Sequence, residues 1–352
     1  MTTILGIETS CDECSASVVE YRPGEPLRAR TLSTFSQIQI HKPYGGVVPE
    51  IASRNHLETV NEMIDAAMKG VESIDAIAVT NRPGLVGALL VGVTAAKSMA
   101  YALDKPLIPI HHLEGHAASL FLEKPENREL PLPLLLAVVS GGHTNLYLVK
   151  TPPELWPPDF LKRSLIGRSR DDAAGEAFDK IAKVLGFPYP GGVWIDKTAQ
   201  GGNQSFLTLP RALPQKATYD FSFSGLKTAA AQAIDKLKKE GMLEARLTDV
   251  CASIQEAIVD ALVTKITLAV RDHGCRSLAI VGGVAANSRL RARLETEWKS
   301  WGLSTKPVFP DLRFCTDNAA MIAAAGAFRF RQGQFLRGES LMTLNAIANP
   351  EI

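Results

Sequence analysis

The sequence predicts an α/β protein built from two related lobes, and three observations carry that prediction. Short apolar runs that end in polar or glycine-rich turns alternate with longer stretches whose apolar residues recur at helical spacing. A strand–turn–strand unit followed by strand–helix alternation occurs twice along the chain. The length of 352 residues exceeds one ordinary domain of roughly 100–200 residues. One doubly wound sheet with an insertion stays open as the alternative architecture.

The elements follow in order. Thr3–Glu8 reads as a buried strand that runs through the polar turn Thr9–Glu13 into a second strand, Ser15–Glu20, with a third near Arg30–Ser36. Val48–Met68 carries helical spacing, Asp75–Thr80 is a short buried strand, and Gly84–Leu103 is a helix rich in small residues. Leu107–Ile110 is a strand that stops at His111. The pattern then restarts with the strand Leu132–Ser140, the turn Gly141–His143 and the alternating strand Thr144–Lys150. Ala173–Leu185 is a helix, and residues 186–225, rich in Pro, Gly and aromatics, read as a structured insertion. The long amphipathic helix Leu247–His273, the strand Ser277–Val281, a helix from Ala285 to about Trp301, the strand Thr305–Phe309 and the helix Asn318–Phe330 complete the chain. Domain bounds of 1–111 and 112–316 follow, with a helix at about 317–345 packing back on the first lobe.

Composition excludes several classes. Hydrophobic residues make up 46% and charged residues 21%, which is globular rather than disordered. Lys+Arg 38 against Asp+Glu 37 leaves a charge of +1, so the chain is no strongly basic nucleic-acid binder, and any nucleic acid must meet local patches. No apolar run approaches the roughly 18 residues of a membrane span. Five cysteines, an odd number, make no disulfide framework. A soluble protein of the reducing cytosol is expected.

Three turns at strand ends suit a phosphate: Glu8-Thr-Ser-Cys-Asp-Glu-Cys14, Ser140-Gly-Gly-His-Thr144 and Gly282-Gly-Val-Ala-Ala-Asn287. Backbone N–H groups exposed in such turns can cradle an anion, although each alone also reads as a plain hairpin or helix-entry turn. None matches the P-loop or the dinucleotide fingerprint. His112 and His116 are spaced i, i+4, so on a helix both imidazoles share a face and can bind one metal ion; a pair of solvated histidines is the plain alternative. Asp317 is a candidate third ligand, and two His with one carboxylate suit Fe(II) or Zn(II). A metallopeptidase needs Glu directly after the first histidine, where Leu113 stands, with Glu114 one position late. Asp171 and Asp172 read as caps of the following helix, whereas Asp179, about two turns in, is placed to accept hydrogen bonds from a ribose or substrate hydroxyl. Cys11 and Cys14 form a C-x-x-C pair without a second pair for zinc, and read as structural or incidental thiols.

Together these motifs resemble a known family. Gly6-Ile-Glu-Thr-Ser-Cys-Asp-Glu13, Gly45-Gly-Val-Val-Pro-Glu-Ile-Ala-Ser-Arg-Asn-His56, His112-Leu-Glu-Gly-His116, Val139-Ser-Gly-Gly-His-Thr144, Asp171-Asp-Ala-Ala-Gly-Glu-Ala-Phe-Asp-Lys180, Tyr189-Pro-Gly-Gly192, Phe221-Ser-Phe-Ser-Gly-Leu-Lys227, Gly282-Gly-Val-Ala-Ala-Asn287 and Cys315-Thr-Asp-Asn318 look like those of bacterial tRNA N6-adenosine threonylcarbamoyltransferases, once described as glycoprotein endopeptidases. The motifs run in register from about residue 3 to 330. One departure is visible: Cys14 stands where the family usually has Thr.

The resemblance implies an actin-like, sugar-kinase-like (ASKHA) fold, with two related α/β lobes around a nucleotide cleft. It implies transfer of the threonylcarbamoyl group from threonylcarbamoyl-AMP to N6 of the adenosine 3′ to the anticodon, in tRNAs reading codons that begin with A. Carried over, His112, His116 and Asp317 would ligate the metal. Val138, Val139, Ser140, Gly141, Gly142, Asp179, Gly192, Asp196 and Asn287 would contact the adenylate. ATP with Mg²⁺ in the cleft during the cycle is compatible with it. The implied partners are tRNA, a degenerate paralogue forming a heterodimer, and a small P-loop ATPase. The first-turn carboxylates Asp12 and Glu13 are the candidate bases for the N6 proton. The rival readings are an ATP-dependent kinase or ATPase of the same fold, a metallopeptidase, and a non-catalytic tRNA-complex scaffold.

Overall fold

The structure is a computed structural model, and it describes residues 1–22, 24–211 and 218–349. It divides into two units. Unit 1 holds Met1–Glu129, Thr151–Arg163 and Pro310–Ile352; unit 2 holds Leu130–Lys150 and Ser164–Phe309.

Unit 1 begins with β1 (Thr2–Glu8) and β2 (Glu13–Tyr21), an antiparallel hairpin registered from Thr2↔Tyr21 to Glu8↔Ser15. The short β3 (Arg28–Ala29) and β4 (Ser33–Ser36) both pair with β2. After the single-turn α1 (Ile38–His41) come α2 (Pro49–Met68), β5 (Ala76–Arg82), α3 (Val86–Ala102), β6 (Leu107–His111) and α4 (His112–Ser119). Pro49 opens α2 at a position where its missing N–H has no intrahelical partner to lose. The sheet order is β3-β2-β1-β5-β6, with β1, β5 and β6 parallel. Both faces of β1 and β5 are covered, which is why they read as unbroken apolar runs. On one face Leu5, Ile7, Ile77 and Val79 meet Val60, Met63 and Ile64 of α2 and Val93 and Ala96 of α3.

Unit 2 carries the sheet β10-β7-β8-β9, from β7 (Leu134–Val139), β8 (Thr144–Val149), β9 (Leu165–Arg168) and β10 (Ser277–Val281). β7 and β8 form an antiparallel hairpin, and β10 lies parallel to β7. The short α5 (Phe160–Ser164) falls almost wholly in unit 1. Unit 2 then contributes α6 (Ala174–Leu185), α7 (Gly191–Thr198), α8 (Ser224–Lys239), α9 (Leu243–Asp272) and α10 (Ser288–Glu297). The chain returns to unit 1 with α11 (Ala319–Arg331), which packs on β1, β2, β5, β6 and α4.

Four readings of the sequence change. The division falls at 129/130 rather than 111/112, because α4 packs against α11 and β6, and Glu123 N–H donates to the Leu27 carbonyl in unit 1. Thr305–Phe309 is not a strand: Pro307 and Pro310 remove donors, and Val308 alone bridges to Ala279. The helix from Ala285 breaks at Asn287, whose extended backbone makes it the cap of α10. The insertion contains α7 and runs into α8, which was not anticipated; residues 212–217 of it lie outside the described residues, as do 350–352 of the tail. Among the described residues, no helix is long and apolar enough to cross a membrane.

Candidate metal centre and the turns of the second unit

In unit 1, β6 ends at His111, whose Nδ1 accepts from Leu113 N–H at 3.2 Å and caps α4. His112 and His116 then occupy one face of that helix, with ring centroids 4.7 Å apart and planes at 80°. Asp317 comes from the far end of the chain. Asn318 caps α11 by accepting from Met321 N–H at 3.0 Å, and Ala319 N–H donates to Ser15 Oγ at 3.0 Å, which moors the helix start to β2. α11 lies close on α4 because Gly115 has no side chain: a Cβ there would stand 2.6 Å from Ile322 Cδ1. Glycine at 115 thus lets the histidine helix and the aspartate helix meet.

The result is a compact donor set. Asp317 Oδ1 lies 3.2 Å from His116 Nε2 and 3.4 Å from His112 Nε2. One ligand atom from each of the three residues fits within 4.8 Å of the others. His116 is 0% exposed, and neither of its ring nitrogens has an aligned hydrogen-bond partner among the described residues. A buried imidazole without aligned hydrogen bonds is costly unless something else satisfies it. Two imidazole nitrogens and one carboxylate oxygen are the donors a divalent transition metal takes, so the residues fit such an ion.

The electrostatics agree with a paired cluster. Burial would push the His112 imidazolium down, but the Asp317 and Glu8 carboxylates beside it hold it well above the usual histidine range. Burial pushes the Asp317 carboxyl up, and the neighbouring His112 and His116 outweigh it and hold the group well below the usual range. For His116, burial wins and keeps the ring neutral. The first-turn carboxylates lie in the same field. Asp12 is buried, and its carbonyl accepts from Gln37 N–H at 3.0 Å. Glu13 accepts from Ser36 Oγ at 3.4 Å, and burial, then the charges of Asp12 and Asp317, push its carboxyl well above the usual range. Cys11 and Cys14 are free thiols raised by burial.

Glu114 has a different task. Its two oxygens accept from Arg329 Nε at 2.5 Å and Nη2 at 2.6 Å, and both side chains are buried. The pair joins α4 to α11, and no water-activating carboxylate follows the first histidine.

In unit 2, Val138–Gly142 end and follow β7 and Asn287 lies just beyond the parallel β10, at the edge where open α/β sheets bind ligands. Val138 and Val139 close β7. Ser140 begins the hairpin turn, accepting from His143 N–H at 3.2 Å, while its carbonyl accepts from Gly175 N–H at the start of α6. Gly141 and Gly142 are exposed. Gly282 lies against the Val139 carbonyl. Asp179 Oδ1 accepts from Gly191 N–H at 2.7 Å and Gly192 N–H at 3.2 Å, so it caps α7. Asp196 accepts from Ser288 Oγ at 2.6 Å, Ser288 N–H at 3.2 Å and Gln255 Nε2. Asn287 Oδ1 accepts from Leu290 N–H at 2.9 Å.

Asp179 has a structural task, and one side-chain role, that of Asp171, differs from expectation. Asp179 holds a turn through backbone donors, with its Oδ1 already used. Asp171 does not cap the helix that follows it: its carboxylate takes Phe223 N–H at 2.8 Å and both Ser222 and Ser224 hydroxyls, and so caps α8. Asp172 binds Lys180 and Lys227. The motif Phe221–Lys227 is thereby tied to the loop before α6.

Known structures place the chain in a class. An activator of 2-hydroxyisocaproyl-CoA dehydratase from Clostridium difficile superposes with a TM-score of 0.52 at 16% identity, covering 94% of this chain and 96% of that one. HypF of T. kodakarensis gives 0.55 at 14% identity, over 97% of this chain and 49% of that one. These likenesses define an α/β protein with two sheets, of the ASKHA, actin-like and sugar-kinase-like, class. Sequence narrows it further. The profile of the tRNA N6-adenosine threonylcarbamoyltransferases matches residues 30–324. Enzymes of that name from Moorella thermoacetica and Anaeromyxobacter dehalogenans are 47% and 49% identical, over 98% and 95% of this chain and 96% of each relative. The chain belongs to the tRNA N6-adenosine threonylcarbamoyltransferase family, and it is an acyltransferase of tRNA modification.

Proposed function

We propose that the chain moves the threonylcarbamoyl group from threonylcarbamoyl-AMP to N6 of the adenosine 3′ to the anticodon, in tRNAs that read codons beginning with A. The observation that supports the mechanism is the close set of His112, His116 and Asp317, in which the buried His116 nitrogens have no aligned hydrogen-bond partner among the described residues. These three side chains would hold one divalent ion, Fe(II) or Zn(II), which when bound supplies Lewis-acid stabilisation of charge on a substrate oxygen.

The donor is a mixed anhydride. N6 attacks its carbamoyl carbon, the bond to the AMP phosphate oxygen breaks, and AMP leaves with that electron pair. N6 is a weak nucleophile, because its lone pair is shared with the ring, so placement matters most. In unit 2 the backbone N–H groups of the turns at 140–142 and 282–287 suit the adenylate phosphate. Asp179, Asp196 and Asn287 hold those turns in shape, with Gly192 at the start of α7. In unit 1, Asp12 or Glu13 takes the proton that N6 loses.

The partners follow from the same reading. A charge of +1 gives little general attraction to RNA, so local patches and partner chains must supply it. Val86, Leu90 and Tyr101 lie exposed along α3 and give a degenerate paralogue an apolar face to cover. A small P-loop ATPase would join that pair in the cytoplasm, with ATP and Mg²⁺ entering during the cycle. The decisive experiment combines the purified chain, its partners, synthetic threonylcarbamoyl-AMP and unmodified tRNA. The expected product is N6-threonylcarbamoyladenosine, detected by nucleoside mass. Binding of tRNA without that product would leave a scaffold.

A further inference from the structure

Glu8 closes β1 and is 0% exposed. A buried carboxylate normally answers to a buried cation or to several donors. Here Oε1 accepts from Ser10 N–H at 2.5 Å, and Oε2 accepts from Thr80 Oγ1 at 2.6 Å and from His112 Nδ1 at 3.1 Å. Ser10 Oγ lies 3.2 Å from the same imidazole nitrogen. Donors thus meet both oxygens, and the carboxylate is clamped between the turn after β1 and the strand β5.

We infer that Glu8 is the positioning residue of the candidate metal centre: with Thr80 behind it, it holds His112 with the proton on Nδ1, so that Nε2 turns its lone pair toward His116 and Asp317. The inference rests on the reading of His112, His116 and Asp317 as ligands. A histidine ligand needs its other ring nitrogen held, because that bond sets the tautomer, the ring orientation and the basicity of the ligating atom. Of the two histidines only His112 has such a partner: His116 Nδ1 has none among the described residues. Glu8 therefore orients the centre through one of its two imidazoles. Its own two-sided set of donors is one that glutamine should not match. An amide has one accepting end, so Glu8→Gln must turn its NH₂ either on Ser10 N–H or on the Thr80 and His112 donors.

The test is metal binding by the full-length chain, stripped and reloaded with Zn(II) or Co(II). Glu8→Gln should weaken Zn(II) binding by about 10–100-fold and alter the Co(II) ligand-field spectrum, while the metal-free variant keeps its far-ultraviolet circular dichroism. In the Zn(II)-loaded wild type, ¹H–¹⁵N correlations of the His112 ring should show a protonated Nδ1. His116→Ala is the control that separates the two readings. If His116→Ala loses the metal while Glu8→Gln binds it as the wild type does, the role of Glu8 is overturned and the metal centre stands. If His116→Ala itself binds normally, the centre falls and the inference with it. Should Glu8→Gln fail to fold, Thr80→Val removes only the hydroxyl behind Glu8; a weaker Zn(II) affinity supports the role, and an unchanged one overturns it.

Discussion

The two units use their polar side chains in opposite ways. In unit 1, His112 and His116 on α4 and Asp317 just before α11 converge from positions far apart in the chain, and the buried His116 has no aligned hydrogen bond among the described residues. In unit 2, Asp179, Asp196 and Asn287 are already engaged by N–H groups and hydroxyls at the starts of α7 and α10. The first arrangement turns its donor atoms toward one another. The second is satisfied as it stands, and what it offers a ligand is the backbone of the turns it holds. On the proposed function, a residue that serves a substrate in unit 1 acts through its own atoms, whereas one in unit 2 acts by shaping a loop.

The sharpest break of this comparison is Asp317→Ala. It should remove the metal and lower threonylcarbamoyl transfer by about 10³-fold, about 4 kcal/mol of barrier, with the fold retained. Metal content and nucleoside mass read the two effects together; full transfer by a metal-free variant would place the chemistry elsewhere. Glu114→Ala tests the neighbouring carboxylate that the centre does not use. It leaves Arg329 buried without its bidentate partner, so it should cost about 3 kcal/mol of stability, seen in denaturant unfolding, yet spare metal affinity in the fraction that stays folded.

Much of this was legible in the sequence. The i, i+4 spacing of His112 and His116 fixed their common face, and the displaced Glu114 argued against a peptidase before its pairing with Arg329 was visible. The runs of β1, β5 and β7 marked central strands because both of their faces are covered. What stayed hidden were pairings across long sequence distances. Glu8 looked like part of a phosphate turn, and nothing local says that its carboxylate meets Thr80 and His112. Asp171 looked like a cap for the next helix, since capping is judged from adjacent residues, yet its donors lie about 50 residues on, at Ser222 to Ser224. α8 was legible as well, since its buried Leu226, Ala230, Ile234 and Leu237 recur at helical spacing.

In unit 2 the comparison sharpens at Asp179. Asp179→Ala removes the acceptor for two N–H groups of α7 and should cost about 1 kcal/mol, as loss of a helix cap does. Asp179→Asn keeps an accepting oxygen and should restore that stability. If the role is to hold the turn, the apparent KM for the adenylate should follow stability, raised in the alanine variant and near normal in the asparagine one. An asparagine variant that is stable but binds the adenylate as poorly as alanine would instead show that the carboxylate meets the substrate directly.

The smallest effect concerns pH, and it again belongs to unit 1. Two buried histidines there form a directed chain: Val48 N–H donates to His41 Nδ1 at 3.3 Å, His41 Nε2 to Gln37 Oε1 at 3.2 Å, Gln37 Nε2 to His56 Nδ1 at 3.4 Å, and His56 Nε2 to the Cys11 carbonyl at 2.9 Å. Each imidazole must stay neutral, because one nitrogen accepts. Burial pushes both below the usual histidine value of about 6.5, against the pull of Asp12 on both and of Glu8 on His56. Below that value the unfolded chain takes up protons that the folded rings refuse. The chain's contribution to stability is therefore full above about pH 6.5 and is lost as pH falls from there through the lowered folded values. His56→Gln keeps a donor for the Cys11 carbonyl but has nothing to protonate. Its unfolding midpoint should be lower than that of the wild type at pH 7, and it should fall less between pH 7 and 5. Parallel curves for the two proteins would assign the acid loss to groups outside this chain, and the turn that carries Asp12 would then be held by something other than neutral histidines.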